Sequence, residues 1–254
     1  MNTPENSPEP TPVATSYWAI VPAAGSGKRM GAGKPKQYLP LAGKPLIAHT
    51  LENILQWPGL TGVVVAIAAD DREFEHLAAA QDFRVHTVTG GAERADSVLA
   101  ALNFLSERAD PETLVLVHDA ARPLVSRKDI ESLLAAGATA LLAQPASDTI
   151  KQSRDKNGEP AVERTLSRER IWLAQTPQKA PLAVLHEALK TGLAQAPETI
   201  TDEASALEMA GYHPQLVPAC RSNFKITHPA DLILAEALLQ HRQTLERIQS
   251  GTDT

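Results

Sequence analysis

Short aliphatic runs alternate with amphipathic segments along most of this chain, and no other feature limits its fold as much. Tyr17–Val21 (YWAIV), Gly62–Ala68 (GVVVAIA) and Thr113–Val117 (TLVLV) read as strands buried on both faces, and Val85–Val88 as a shorter one. Between them, Pro45–Gln56 sets Leu46, Ile47, Leu51, Ile54 and Leu55 on one helical face, and Ala95–Glu107 and Ser126–Gly137 read as helices too. Asp71–Ala80 also has a helical pattern. Further strands are expected at Ala138–Ala143, Ile171–Ala174, Gln215–Val217 and Asn223–Thr227. Helices are expected at Pro181–Lys190, at Thr201–Gly211 (N-capped by Thr201 or Asp202) and at Asp231–Gln240. This order predicts an α/β fold, a mostly parallel sheet covered by helices.

Ligands in such sheets sit beyond the C-terminal ends of the strands. The loops that matter therefore start at Pro22, Thr89 and His118. The first reads VPAAGSGKRMGAGKPKQYLP from Val21 to Pro40, with four glycines and four cations, Lys28, Arg29, Lys34 and Lys36. No acidic residue falls between Val21 and Leu51. A cationic, glycine-rich, acid-free loop after a strand suits a polyphosphate, but two familiar schemes fail. The pattern G-x-x-x-x-G-K-[ST] meets Pro22 and Arg29 where it needs Gly and a hydroxyl residue. The pattern G-x-G-x-x-G fits Gly25 and Gly27 but meets Met30 at its third glycine, with Gly31 one residue late. Arg29 offers planar donors for phosphate oxygens and Lys36 a compact point charge; Lys28 and Lys34 read as solvated surface cations.

In the second loop, Gly90-Gly91 lets backbone approach a flat ligand closely, and Ser97 lies one turn into the next helix. A plain strand-to-helix turn would read the same way. In the third loop, Asp119 can bind a ribose hydroxyl or magnesium and Arg122 a phosphate, or the two can pair with each other. His118 reads as structural.

The net charge of −6 and an aromatic content of 4% argue against nonspecific binding of nucleic acid. A single cysteine, Cys220, leaves no intrachain disulfide and no thiolate cluster, and reads as a small residue near a strand end. Residues 1–15 are polar and proline-rich with no apolar core, which predicts a disordered tail and not a signal peptide. No apolar stretch approaches the ~20 residues a membrane helix needs. We expect a cytoplasmic protein with one domain over 16–241 and a frayed tail over 242–254.

Asp148–Arg168 breaks the alternation. It is polar and contains Asn157-Gly158, a two-residue hairpin signal. A lone hairpin is marginal in water, so it reads either as an exposed hairpin or as an arm, about 146–170, that packs on another subunit.

Six blocks then occur in order: PAAGSGKRMGAGKPKQYL, GGAERADSV, VHDAARP, TPQ (176–178), TDEASALE and NFKITHPADL. From about Trp18 to Leu239 the chain resembles the 2-C-methyl-D-erythritol 4-phosphate cytidylyltransferases of the non-mevalonate isoprenoid route. That resemblance implies a Rossmann-like nucleotidyltransferase fold with a protruding β-hairpin arm. It implies CMP transfer from CTP to methylerythritol phosphate, with Mg2+ held mainly by the CTP phosphates. Arg29 and Lys36 would stabilise the transition state at the α-phosphate, and Ala23, Ala24, Gly25, Gly27, Gly91 and Ser97 would frame the nucleotide. Asp119, Arg122, Thr201 and Lys225 would hold the acceptor, Asp119 being also a candidate metal ligand. Thr149 and Arg168 would reach the neighbouring subunit's substrate in a homodimer. Many members carry Asp where this chain has Ala92, so a base contact there would fall to backbone. No general base is expected, because the acceptor's phosphate is itself the nucleophile; the catalytic task would be to bring two anions together, shared by Arg29, Lys36, Arg168 and Lys225. The competing readings are a ribitol 5-phosphate cytidylyltransferase, a sugar-1-phosphate nucleotidylyltransferase and a catalytically inactive nucleotide-binding regulator.

Overall fold

The computed structural model describes residues 16–25, 35–156 and 158–250. The chain enters at β1 (Tyr17–Pro22), passes the small antiparallel pair β2 (Pro40–Leu41) and β3 (Lys44–Pro45), and turns into α1 (Leu46–Ile54). Then follow β4 (Leu60–Ile67), β5 (Val85–Thr89), α2 (Arg94–Ser106), β6 (Leu114–Val117), α3 (Arg127–Ala135) and β7 (Ala140–Pro145). The hairpin strands β8 (Ile150–Lys156) and β9 (Glu159–Leu166) precede β10 (Trp172–Pro181), α4 (Leu182–Gln195), α5 (Glu203–Met209), β11 (Gln215–Pro218) and α6 (Pro229–Ser250).

Seven strands form the central sheet in the order β11-β7-β10-β6-β1-β4-β5. Only β10 runs antiparallel to its neighbours; the other pairings are parallel. The aliphatic runs are buried on both faces, and strand alternation divides them. Ala19, Val21, Val63 and Val65 pack against Ile47, Leu51 and Ile54 of α1 and Ile130 and Leu133 of α3. Ile20, Val64, Val115 and Val117 face Val98 and Leu102 of α2 and Leu185 and Leu189 of α4. The chain leaves β1 outward through β4 and β5, then crosses back to β6 on the other side of β1. The β1–β6 junction is therefore the topological switch point, where such sheets hold ligands.

Four sequence expectations are corrected. Asp71–Ala80 is not an α-helix but two 3-10 turns, Phe74–His76 and Ala78–Gln81. Asp71 caps the first turn through the Glu73 and Phe74 amides, and Leu77 is extended and buried between the two turns, so core packing overrides the helical pattern. Asn223–Thr227 is not a strand. Its polar groups are taken elsewhere: Asn223 donates to Gln175 Oε1 and to the Thr176 carbonyl, and the Ile226 amide to the Ala121 carbonyl. The strand expected at Ile171–Ala174 starts one residue later and continues to Pro181, across a cis Thr176-Pro177 bond. Finally, α6 runs to Ser250 instead of fraying after 241, on a stretch rich in helix formers. Arg242 ties it down by donating to the Leu124 carbonyl at 2.6 Å.

The hairpin forms as expected, from Ile150↔Leu166 to Lys156↔Glu159, as a two-stranded sheet of its own. Gly158 turns it at φ +82°, in the left-handed region that the turn requires. In α5, Asp202 is the N-cap and accepts from the Ser205 amide. Strand β10 buries Lys179, whose Nζ donates to the Leu133, Leu134 and Ala136 carbonyls and so caps the C-terminus of α3.

Candidate active site

The ends of β1, β5 and β6 open into one cleft of about 550 Å³ at the switch point. Ala23, Ala24 and Gly25 form one wall and Gly91 and Ser97 another, while Lys36, Asp119 and Lys225 bring charge to it. The paired glycines are needed for close approach. A Cβ on Gly90 would lie 2.6 Å from Ala24 Cβ and 2.7 Å from Ser97 Oγ, and one on Gly91 would collide with Asp96 Cβ. Ser97 accepts from the Gly91 amide at 3.2 Å and donates to the Glu93 carbonyl, so it pins this loop to the first turn of α2.

Asp119 is the electrostatic centre. Its side chain is 8% exposed, and three cations converge on it. Arg94 Nε donates to Oδ1 at 3.0 Å, Lys225 Nζ to Oδ2 at 2.9 Å and Arg122 Nε to Oδ2 at 3.4 Å. Burial opposes its ionisation, but Arg94, Lys225 and Arg122 outweigh burial and hold the carboxyl well below the usual range. Arg94 in turn makes a bidentate pair with Glu203, at 2.7 and 3.0 Å, and Glu203 is 1% exposed in the first turn of α5. Burial alone would lower the Arg94 pKa, yet these two carboxylates raise it above its ordinary value. Three cations thus meet two carboxylates, which leaves one net positive charge beside the cleft.

Histidines stand outside this arrangement. His118 is buried behind Asp119, and burial pushes its pKa down to about 4. Its Nε2 donates to the Arg122 carbonyl at 2.9 Å, so in the neutral ring Nδ1 accepts from the Thr176 hydroxyl at 3.1 Å. His49 Nε2 donates to the Leu41 carbonyl. Among the described residues no histidine lines the cleft. None forms a metal-binding group of three or more His, Cys, Asp or Glu either.

The residues singled out in the sequence divide into groups. Ala23, Ala24, Gly25, Lys36, Gly91, Ser97, Asp119 and Lys225 meet in the cleft. Arg122 lies behind Asp119, buried, with Nη1 on the Asn223 carbonyl at 2.7 Å. Thr201 is exposed and faces a neighbouring cavity of about 460 Å³ on the other side of Arg94. Thr149 and Arg168 stand exposed at the base of the hairpin, away from their own chain's cleft, where Arg168 donates to the Ser147 carbonyl. Gly27, Lys28, Arg29, Met30, Gly31 and Lys34 lie outside the described residues, as do the tail residues 1–15 and 251–254. Cys220 is exposed just past β11. Sequence reasoning missed Arg94 and Glu203. An acid at the start of a helix reads as a dipole partner, and its true partner is 109 residues away.

A family model described as 2-C-methyl-D-erythritol 4-phosphate cytidylyltransferase matches residues 17–241. A protein of that name from Shewanella amazonensis is 49% identical over 232 residues, which cover 90% of this chain and 95% of that protein. One from Vibrio vulnificus is 47% identical over 233 residues, covering 90% and 97%. The crystal structure of a Francisella tularensis protein of the same name superposes with a TM-score of 0.74 at 35% identity, over 87% of this chain and 98% of that one.

Removing Glu203 leaves a mostly buried guanidinium with half its partners. Glu203→Ala is expected to cost about 3 kcal/mol of folding stability, read from urea unfolding. A loss under about 1 kcal/mol, as for a surface pair, would mean that Glu203 does not anchor Arg94.

Proposed function

The chain belongs to the 2-C-methyl-D-erythritol 4-phosphate cytidylyltransferase family, and from that premise we propose how its cleft performs the reaction. The enzyme transfers CMP from CTP to 2-C-methyl-D-erythritol 4-phosphate. A phosphate oxygen of the acceptor forms a new bond to the α-phosphorus of CTP as the bond to the β-phosphate oxygen breaks. 4-Diphosphocytidyl-2-C-methyl-D-erythritol and pyrophosphate result. The convergence of Lys36, Arg94 and Lys225 on one cleft with the glycine-rich backbone carries this reading.

The nucleophile is a phosphate monoester whose second pKa is about 6, so it reaches neutral pH largely as a dianion and needs no base. The difficulty lies in bringing two anions together. Lys36 and Arg29 stabilise the charge that builds on the α-phosphate, while Ala23, Ala24, Gly25 and Gly27 frame the nucleotide with Gly91 and Ser97. Asp119 and Lys225 take the acceptor's hydroxyls and phosphate. Arg122 supports Asp119 from behind, and Thr201 stands at the rim. Thr149 and Arg168 reach the acceptor phosphate of a partner subunit, so each site is completed across a homodimer joined by the hairpin arms. In support, the arm is a separate sheet whose apolar Val162 is 62% exposed.

Magnesium accompanies CTP. Two carboxylates, Glu93 and Asp119, line the cleft, and Asp119 already accepts from three cations, so among the described residues the ion would be held mainly by substrate oxygens. Bound there, it would neutralise triphosphate charge and help pyrophosphate leave. We place the reaction in the cytoplasm; among the described residues no helix is long and apolar enough to cross a membrane.

Pyrophosphate release with CTP and magnesium, offering methylerythritol 4-phosphate and ribitol 5-phosphate in parallel, tests the reading. Turnover is expected with the former, falling about 10²- to 10³-fold in Lys36→Ala. Turnover only with ribitol 5-phosphate would overturn the acceptor, and an unchanged rate in Lys36→Ala would overturn the role of Lys36. Light scattering should give twice the chain mass; a stable monomer with full activity would remove the roles of Thr149 and Arg168.

A further inference from the structure

Lys36 opens a 3-10 turn, Lys36–Tyr38, and the next two side chains tie that turn to two different segments. Gln37 is 7% exposed, and its Nε2 donates to the Ala23 carbonyl at 2.7 Å, across 14 residues of chain. Ala23 is held on its other side too, since its amide donates to the Ala66 carbonyl at 2.7 Å. Gln37 therefore fixes the plane of the Ala23–Ala24 peptide and, with it, the direction of the Ala24 amide in the cleft wall. Tyr38 reaches the second segment: its hydroxyl donates to Asp71 Oδ2 at 2.6 Å. The Asp71 Oδ1 atom is already held by the Glu73 and Phe74 amides at 2.9 and 3.1 Å, so the anchor is rigid.

We infer that Gln37 is a positioning residue, which sets Lys36 in register with the Ala23–Gly25 wall so that the cation meets the α-phosphate of a nucleotide seated there. The inference rests on the reading of Lys36 given above. Lysine is a flexible point charge, so its value to a transition state depends on where its backbone is held. Misplacing a reacting or stabilising group by about 1 Å can cost on the order of 10²-fold in rate. The acceptor would still meet Asp119 and Lys225 unchanged, so the loss belongs in kcat and not in the KM for the acceptor. Tyr38 supports the same turn from farther off.

Gln37→Met keeps the length of the side chain and removes its amide, and with it the donor to the Ala23 carbonyl. We would measure kcat and both KM values for pyrophosphate release, with melting midpoints, for Gln37→Met alone and combined with Lys36→Ala. The expected result is a fall in kcat of about 10- to 100-fold, with KM for the acceptor within about twofold. In the Lys36→Ala background the same change should cost less than about threefold, because the group it positions is gone. An equal loss in both backgrounds, or no loss in the parent, would overturn the inference. If Gln37→Met does not fold, Tyr38→Phe replaces it, with a smaller loss that likewise disappears without Lys36; a loss that persists there would count against the proposal. A Lys36→Ala enzyme as fast as the parent would instead sink the reading of Lys36 itself.

Discussion

The buried carboxylate of Asp119 allows three cations to stand together at one end of the cleft. Without it, Arg94, Arg122 and Lys225 would repel one another across a few ångströms. With it, each gains roughly 4 kcal/mol of attraction at about 4 Å and an effective dielectric near 20, before desolvation. Glu203 extends the arrangement by gripping the far side of Arg94. Four separate pieces of chain are thereby joined: the start of α2, the end of β6, the start of α5 and the segment around Lys225. These pieces carry the glycine-rich wall of the cleft on one side and Lys225 on the other, so one charge network sets their spacing.

The sheet makes this network possible by bringing its members from distant places. Because the chain crosses back over β1 to form β6, the loops that follow both strands open at the same edge. Strand β10, inserted antiparallel beside β6, brings Thr176 to the Asp119 amide and the neutral His118. The cleft therefore has hydrogen-bonded backing behind Asp119. A surface of this kind favours positioning and charge stabilisation, which is what phosphoryl transfer mostly asks of a protein.

Much of this was legible in the sequence because it rests on local patterns. The doubly buried strands, the hairpin turn at Gly158 and the glycines before α2 all follow from period, composition and backbone freedom. The motif blocks pointed to Lys36, Asp119 and Lys225, and the structure brings these together. Pairings between distant residues were not legible. Arg94 meeting Glu203, Gln37 meeting the Ala23 carbonyl and Asn223 filling the space beside Thr176 depend on the folded arrangement of segments 14 to 109 residues apart. The failures at 71–80 and 223–227 have the same origin: a locally plausible helix and strand each gave way to side chains that found better partners in the core.

The account makes charge placement, and not proton removal, the source of catalysis, so the pH dependence should belong to the substrate. The most direct measurement is kcat/KM for the acceptor from pH 5 to 8, with methylerythritol 4-phosphate and with its phosphonate analogue, whose second pKa is higher. The account predicts a rise that levels off above about pH 6 for the phosphate, with the break displaced upward for the phosphonate. A break that stays in place when the acceptor changes would assign the essential ionisation to a protein group and contradict the account.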